Sequence, residues 1–329
     1  MKPKLLILLF TFLSFSGYLI AEKYDNMRFD MSLNYFKENG IKSFTFTEYE
    51  YEFGVPKRIG NKIQEITFDG DYRITESKLF DEGEYDGKFT YIFNANGDTI
   101  SITKYGAEEE ELFKTEFRYD GNGRLVEKEY YEDGESIMKD MFTNNDKGNR
   151  TILINYEKNE IEFTNKYQYN ENNQETEWTR YDDEDVLELK GVSNYNEKGW
   201  KTDSTYFYEG EVDVKSKYDY DESGRLIAYT LYEGDGSLFS KNSYKYNIEG
   251  QLIEERIFDS YNVLIEMYLL EYNNDGQVKE INKYGEKEFL EEIRRYKYHE
   301  NSLIKHEQIL NNIEVLKFIR KYTYDPSQH

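Results

Sequence analysis

The chain has 329 residues, 66 acidic against 42 basic, a formal charge of −24 and 17% aromatic content that includes 33 Tyr. So negative a surface repels nucleic acid, which is excluded as a partner, and with no cysteine there is no disulfide framework, thiol nucleophile or thiolate metal site. With 33% charged residues the chain is too polar for a thick core, yet it is too aromatic for disorder; tyrosine, whose ring packs while its hydroxyl stays wet, suits a thin sheet.

In chain order, residues 1–21 read as a secretory signal. Lys2 and Lys4 form a short basic region, Leu5 to Phe15 an apolar one, and Ser14, Ser16, Gly17 and Ala21 supply small residues toward cleavage after Ala21. No other stretch is long enough to cross a membrane as a helix, so no transmembrane segment is expected after cleavage. Residues 22–60 carry alternating runs (Phe44-Thr45-Phe46, Tyr49-Glu50-Tyr51) that suggest lead-in strands, expected to cap and blunt the open edge of the first repeat.

Residues 61–325 are a repeat array. An aromatic followed by Asp or Asn recurs at Phe68, Phe93, Tyr119, Tyr169, Tyr195, Tyr220, Tyr246, Tyr272 and Tyr324, with Tyr298-His299 in the same frame, in steps of 25 or 26 residues. A degenerate copy at Asn144-Asn145 fills the one double step. A second aromatic beat falls twelve residues after most anchors, at Phe80, Tyr105, Tyr131, Tyr181, Tyr232, Phe258 and Tyr284. Each unit is therefore two strands and two turns. Asp or Asn after the anchor folds back on its own backbone, and Gly four residues past it (Gly97, Gly123, Gly148, Gly199, Gly224, Gly250, Gly276) accepts positive φ cheaply. Proline is absent from Lys57 to Asp325, as central strands require, so Pro56 and Pro326 read as boundaries, with a short tail at 326–329. The expected fold is all-β: a long antiparallel meander or solenoid of about twenty strands, each paired with its sequence neighbours, coiled by twist but open. Truncation should then shorten the array before unfolding it.

The clearest copies read Tyr-Asp-Gly-Asn-Gly-Arg-Leu at 119–125 and Tyr-Asp-Glu-Ser-Gly-Arg-Leu at 220–226. They resemble the YD repeats of the Rhs family, with a looser likeness to MORN-like antitoxin repeats. The resemblance implies a coiled β-sheet shell. The toxin payload that often follows such arrays is not expected, because the last anchor, Tyr324-Asp325, lies almost at His329.

No catalytic constellation stands out, and an enzyme is not expected. The three histidines, His299, His306 and His329, are scattered over a turn, a strand and the terminus. A calcium-like run from Asp219 fails at its twelfth position, Thr230. Two surface features are candidates for interaction. Acidic second-beat turns, above all Glu108, Glu109, Glu110 and Glu111 and then Asp182, Asp183, Glu184 and Asp185, should line one long edge, suited to a basic partner or, more weakly, calcium. Tyrosine rows through Tyr244, Tyr246, Tyr272 and Tyr298 either pack the sheet or stack sugar rings. No cofactor is expected. The function these features suggest is a structural or binding scaffold of a bacterial envelope, periplasmic or at the cell surface, with a protein or polysaccharide partner. The alternatives are an immunity-like or antitoxin-like binder and, distantly, a carbohydrate-active enzyme.

Overall fold

The structure, a computed structural model, describes residues 36–37, 40–52, 55–56, 60–300 and 303–326. The signal segment and its cleavage after Ala21 lie outside these residues, as do residues 22–35 of the lead-in and 327–329 of the tail. Strand β1 (Ile41–Glu52), the two-residue β2 (Val55–Pro56) and β3 (Asn61–Phe68) open a run of 23 strands that ends with β22 (Ile304–Asn311) and β23 (Leu316–Pro326).

From β3 to β23 every strand pairs antiparallel with its sequence neighbours, as the meander requires. The open edges are not there, however. One side of β1 pairs with β3 and the other with β23, so 22 strands close into an antiparallel barrel. The lead-in therefore supplies the closing strand, and no edge remains for it to blunt. Closure satisfies both rows of backbone groups that an open array would expose.

The register explains why the ring can close. Gln64 pairs with Leu79 and Leu79 with Gly87, 23 residues on in a unit of 25. Tyr268 leads through Lys283 to Glu292, 24 residues on in a unit of 26. Each two-strand unit slips by two residues, so the shear of the 22-strand ring is 22 once β1 is included. Equal shear and strand number tilt the strands by about 35°.

Among the described residues, the anchor turns from Phe68 to Tyr272 are three-residue hairpins with a left-handed fourth position. In the 119–125 copy, Asp120 N–H donates to Arg124 O (2.8 Å), Gly123 N–H donates to Asp120 O (3.0 Å), and Gly123 has φ 76°. The Asp120 carboxylate accepts from the Asn122 and Arg124 N–H groups at 2.9 Å each and from Arg124 Nε at 2.7 Å. Asp221 and Arg225 repeat this arrangement, while Asn170, Asn247 and Asn273 pair with Gln174, Gln251 and Gln277 instead. The basic or amide partner then reaches the next turn: Arg124 Nη1 donates to Asn145 O (2.8 Å) and Gln251 Nε2 to Gly276 O (2.9 Å). These staples carry a pH dependence. N–H donation from Arg124 and Arg225 holds the Asp120 and Asp221 carboxyls below the usual carboxylate range. A depressed folded pKa gives stability that is complete above the unfolded value near 3.8 and is lost as pH falls through the lower folded one. Acid titration of thermal stability should therefore hold down to about pH 4 before these staples release; Asp120→Asn with Asp221→Asn should flatten the loss below it.

The anchor tyrosine itself bridges units. Its hydroxyl donates to the carbonyl that opens the preceding strand: Tyr119 to Thr99 O, Tyr195 to Glu175 O and Tyr246 to Leu226 O at 2.8 Å, Tyr272 to Leu252 O and Tyr298 to Val278 O at 2.7 Å. Tyr272→Phe keeps the ring and removes the bond, so it should cost about 1 kcal/mol in urea unfolding; a change within error would mean that water replaces it freely.

The two aromatic beats occupy opposite faces. First-beat anchors lie on the luminal parity with the most deeply covered side chains, such as Ser204 (1% exposed), Ser216 (2%) and Glu307 (2%). Second-beat aromatics face out, and a lysine from the adjoining strand lies over the ring at Phe80, Tyr105, Tyr131, Tyr156 and Tyr181. The outer mid-strand surface is thus a lattice of charge: Lys114–Glu116 and Lys190–Glu177 pair at 2.6 Å, and Lys245–Glu254 at 2.8 Å. A lipid-facing barrel needs an apolar band at this place, with each basic residue at the midplane costing about 2–4 kcal/mol. This outer face is built for water.

Candidate functional site

The lumen holds the chemistry that the outer face lacks. On β12 (Glu175–Asp182), Trp178 lies across Gly191 of β13 (Leu187–Tyr195). A Cβ on Gly191 would meet the indole at 2.2 Å, so only glycine lets the ring lie flat there. Crossing β13 brings the indole within 6.4 Å of Tyr206 on β14 (Lys201–Tyr208). Tyr218 and Tyr229 continue the aromatic belt on the next two strands, with centroids 5.0 Å apart. Burial raises the phenol pKa values of Tyr206 and Tyr229, keeping them as neutral donors.

Polar groups flank the belt. Arg180 lies over Phe163 at 3.9 Å and donates through Nε to Asn165 Oδ1 (3.0 Å). Burial lowers its pKa, against the opposing pull of Glu188. Asn155 Nδ2 donates to Asp140 Oδ1 (2.7 Å), and the other oxygen of that carboxylate accepts from Tyr130 (3.2 Å). Flat aromatic surfaces beside amides, a guanidinium and carboxylates are the groups a sugar ring uses: apolar faces for its C–H bonds, polar edges for its hydroxyls.

At the mouth on the anchor-turn side, Phe36 is 1% exposed and packs against Phe44, Phe68 and Tyr324 at 5.3–6.0 Å. Further round the same mouth is a notch of about 400 Å³ beside Asn144, Arg150, Tyr167, Tyr169 and Glu175. Burial raises the Glu175 pKa, against the charge of Lys201.

The tyrosines singled out in the sequence divide between these regions. Tyr246, Tyr272 and Tyr298 are clasps at the mouth, while Tyr244 lies on the luminal face, its pKa raised by burial. The acidic turns do share the opposite mouth, but many of their carboxylates serve the turns. Glu109 accepts from the Tyr85 hydroxyl (2.6 Å) and pairs with the Lys88 ammonium, which holds its pKa down. Glu110 accepts the Glu108 N–H (3.0 Å), and Asp182 Oδ1 accepts the Glu184 and Val186 N–H groups at 3.0 and 2.8 Å. Asp185 lies 4.0 Å from Lys166. Glu111 opens the strand that follows its turn and Asp183 lies within the other turn, both exposed. Among the described residues no three His, Asp or Glu side chains converge as a metal site, so the calcium reading has no geometry behind it there. The Trp178–Gly191–Tyr206 belt went unread in the sequence, because its members belong to three strands.

No protein-family profile and no curated protein matches the chain. Among solved structures it is similar to the TcdB2-TccC3 complex (10% identity, TM-score 0.37, covering 86% of this chain and 20% of that one). It is also similar to a porin-like protein from Bacteroides uniformis ATCC 8492 (12% identity, TM-score 0.33, 87% of this chain and 98% of that one). A porin-like protein from Bacteroides vulgatus ATCC 8482 scores 0.25 at 14% identity, over 77% and 98% of the two chains. The chain thus spans about a fifth of the toxin-complex chain. At these scores the similarities do not bear on function. No helix among the described residues is long and apolar enough to cross a membrane.

Proposed function

We propose that this protein is an exported, non-catalytic binding barrel that holds a polysaccharide segment against the aromatic belt of its lumen. Export rests on the basic-then-apolar start at Lys2 to Phe15 and the small residues up to Ala21. The observation that carries the binding reading is Trp178 laid flat over Gly191 toward Tyr206, with Arg180 and Asn165 at hand. Gly191 makes room for the indole on a wall that carries buried Leu189, Val214 and Leu231 as well as Ser204 and Tyr206. The charged outer face supports a barrel that works in water rather than as a membrane pore. A glycan array probed with the chain from Glu22 onward, beside Trp178→Ala, tests it. Binding should be present and fall at least tenfold in the variant; an array with no binding, or binding indifferent to Trp178, would sink the reading.

A second reading, a binder of a basic protein, is favoured by the acidic turns sharing one mouth. It predicts capture that is competed by polylysine and is indifferent to Trp178.

A further inference from the structure

The degenerate repeat at Asn144-Asn145 has a structural consequence. At Tyr119, Tyr169, Tyr195, Tyr246, Tyr272 and Tyr298 the anchor ring crosses the end of the preceding strand to reach its first carbonyl. Asn144 makes the equivalent bond, Nδ2 to Leu125 O at 3.0 Å, with no ring behind it. The space that the ring would cover is the notch of about 400 Å³, bounded by Leu125 on one side and Tyr169 on the other. The lapse in the repeat frame thus opens a cleft with room to seat a sugar unit.

Its lining is specific. The Arg150 guanidinium lies 4.2 Å over the Phe142 ring, and among the described residues no carboxylate pairs with it. The neighbouring Arg124 is occupied, by Asp120 and by Asn145 O. Tyr167 and Tyr169 add ring surface, and Glu175, its pKa raised by burial, adds a carboxyl edge. A hydrocarbon or aromatic guest would leave Arg150 and these edges unanswered. A polar ring bearing a carboxylate answers Arg150, because guanidinium meets carboxylate in a two-point fork, and its hydroxyls meet the other polar edges.

We infer that the notch at Asn144 is a subsite for an acidic sugar unit, with Arg150 receiving its carboxylate. This rests on the saccharide reading above and adds the charge and the place. The net charge of −24 repels anions at long range, so recognition must come from local geometry and should be measured at physiological salt.

The test uses the chain from Glu22 onward, with tetragalacturonate and its fully methyl-esterified, neutral counterpart as calorimetric probes. Asn144→Tyr restores the ring the other repeats carry; it should raise the thermal midpoint and weaken tetragalacturonate binding at least tenfold. Arg150→Gln should weaken the acidic probe at least tenfold and leave the neutral one unchanged. The inference is overturned if Asn144→Tyr, folded and no less stable, binds tetragalacturonate like the wild type, or if Arg150→Gln affects both probes equally. If Trp178→Ala alone abolishes binding of both probes, the lumen reading survives and the notch does not. If the wild type binds neither probe but does bind other glycans on the array, the inference alone falls; if it binds no glycan at all, both fall.

Discussion

Replacing Glu307 with alanine is expected to destabilise the barrel by about 2–3 kcal/mol. Glu307 is 2% exposed and lies on β22, inside the lumen and one strand from the closing seam. It accepts from the Tyr296 hydroxyl (2.9 Å) and Arg320 Nη1 (3.4 Å), with Arg294 at 3.9 Å. Arg320 in turn donates through Nε to Glu48 of β1 (2.9 Å), so the chain of charges crosses the seam. Burial pulls the Arg320 and Arg294 pKa values down, but the carboxylates around them, Glu307 and Glu48 for the one and Glu292 and Glu307 for the other, outweigh it. Removing a shared partner from a buried pair costs about 3–5 kcal/mol when a charge is stranded. Here each arginine keeps one carboxylate and is about one-third exposed (33% and 34%), which moves the expectation below that range. Urea unfolding with an unchanged slope should show the loss, and Glu48→Ala should cost less. A Glu307 effect below about 0.5 kcal/mol would mean that water screens the lumen as it does a surface.

The parts of this fold that were legible in the sequence are those fixed by short-range chemistry. Asp120 and Gly123 specify their hairpin alone, and the step of 25 or 26 residues comes from counting such hairpins. The parts that could not be read are those that depend on register summed around the ring. The two-residue slip of each unit is invisible in any one copy, yet its accumulation lets β1 meet β23, a pairing that puts Glu48 beside Arg320 272 residues away. The belt has the same origin, since Gly191 looks like an ordinary strand glycine until Trp178 is laid over it. The notch was half visible: Asn144 stood out as a weak copy, but only the tyrosine clasps on either side show which ring is missing and what it would have covered.

Closure also changes what truncation does. An open array loses stability in proportion to the strands removed. A closed one loses its ring at the first cut. Deleting residues 1–60 removes β1 and leaves facing rows of unpaired groups on β3 and β23, while Ile66 and Phe68, 6% and 5% exposed, lose Ile41 and Phe36 from their cluster. Unpaired strands of this length recruit one another, so the truncated chain is expected to elute as dimers or larger species and to melt over a broader range. A synthetic peptide spanning Ile41–Glu52, added in trans, should return it to the monomer by pairing with both edges at once. If the truncated chain instead stays monomeric, with a midpoint lowered only in proportion to its length, the neighbour-sum behaviour of an open repeat array holds and the seam at β1 contributes no cooperativity of its own.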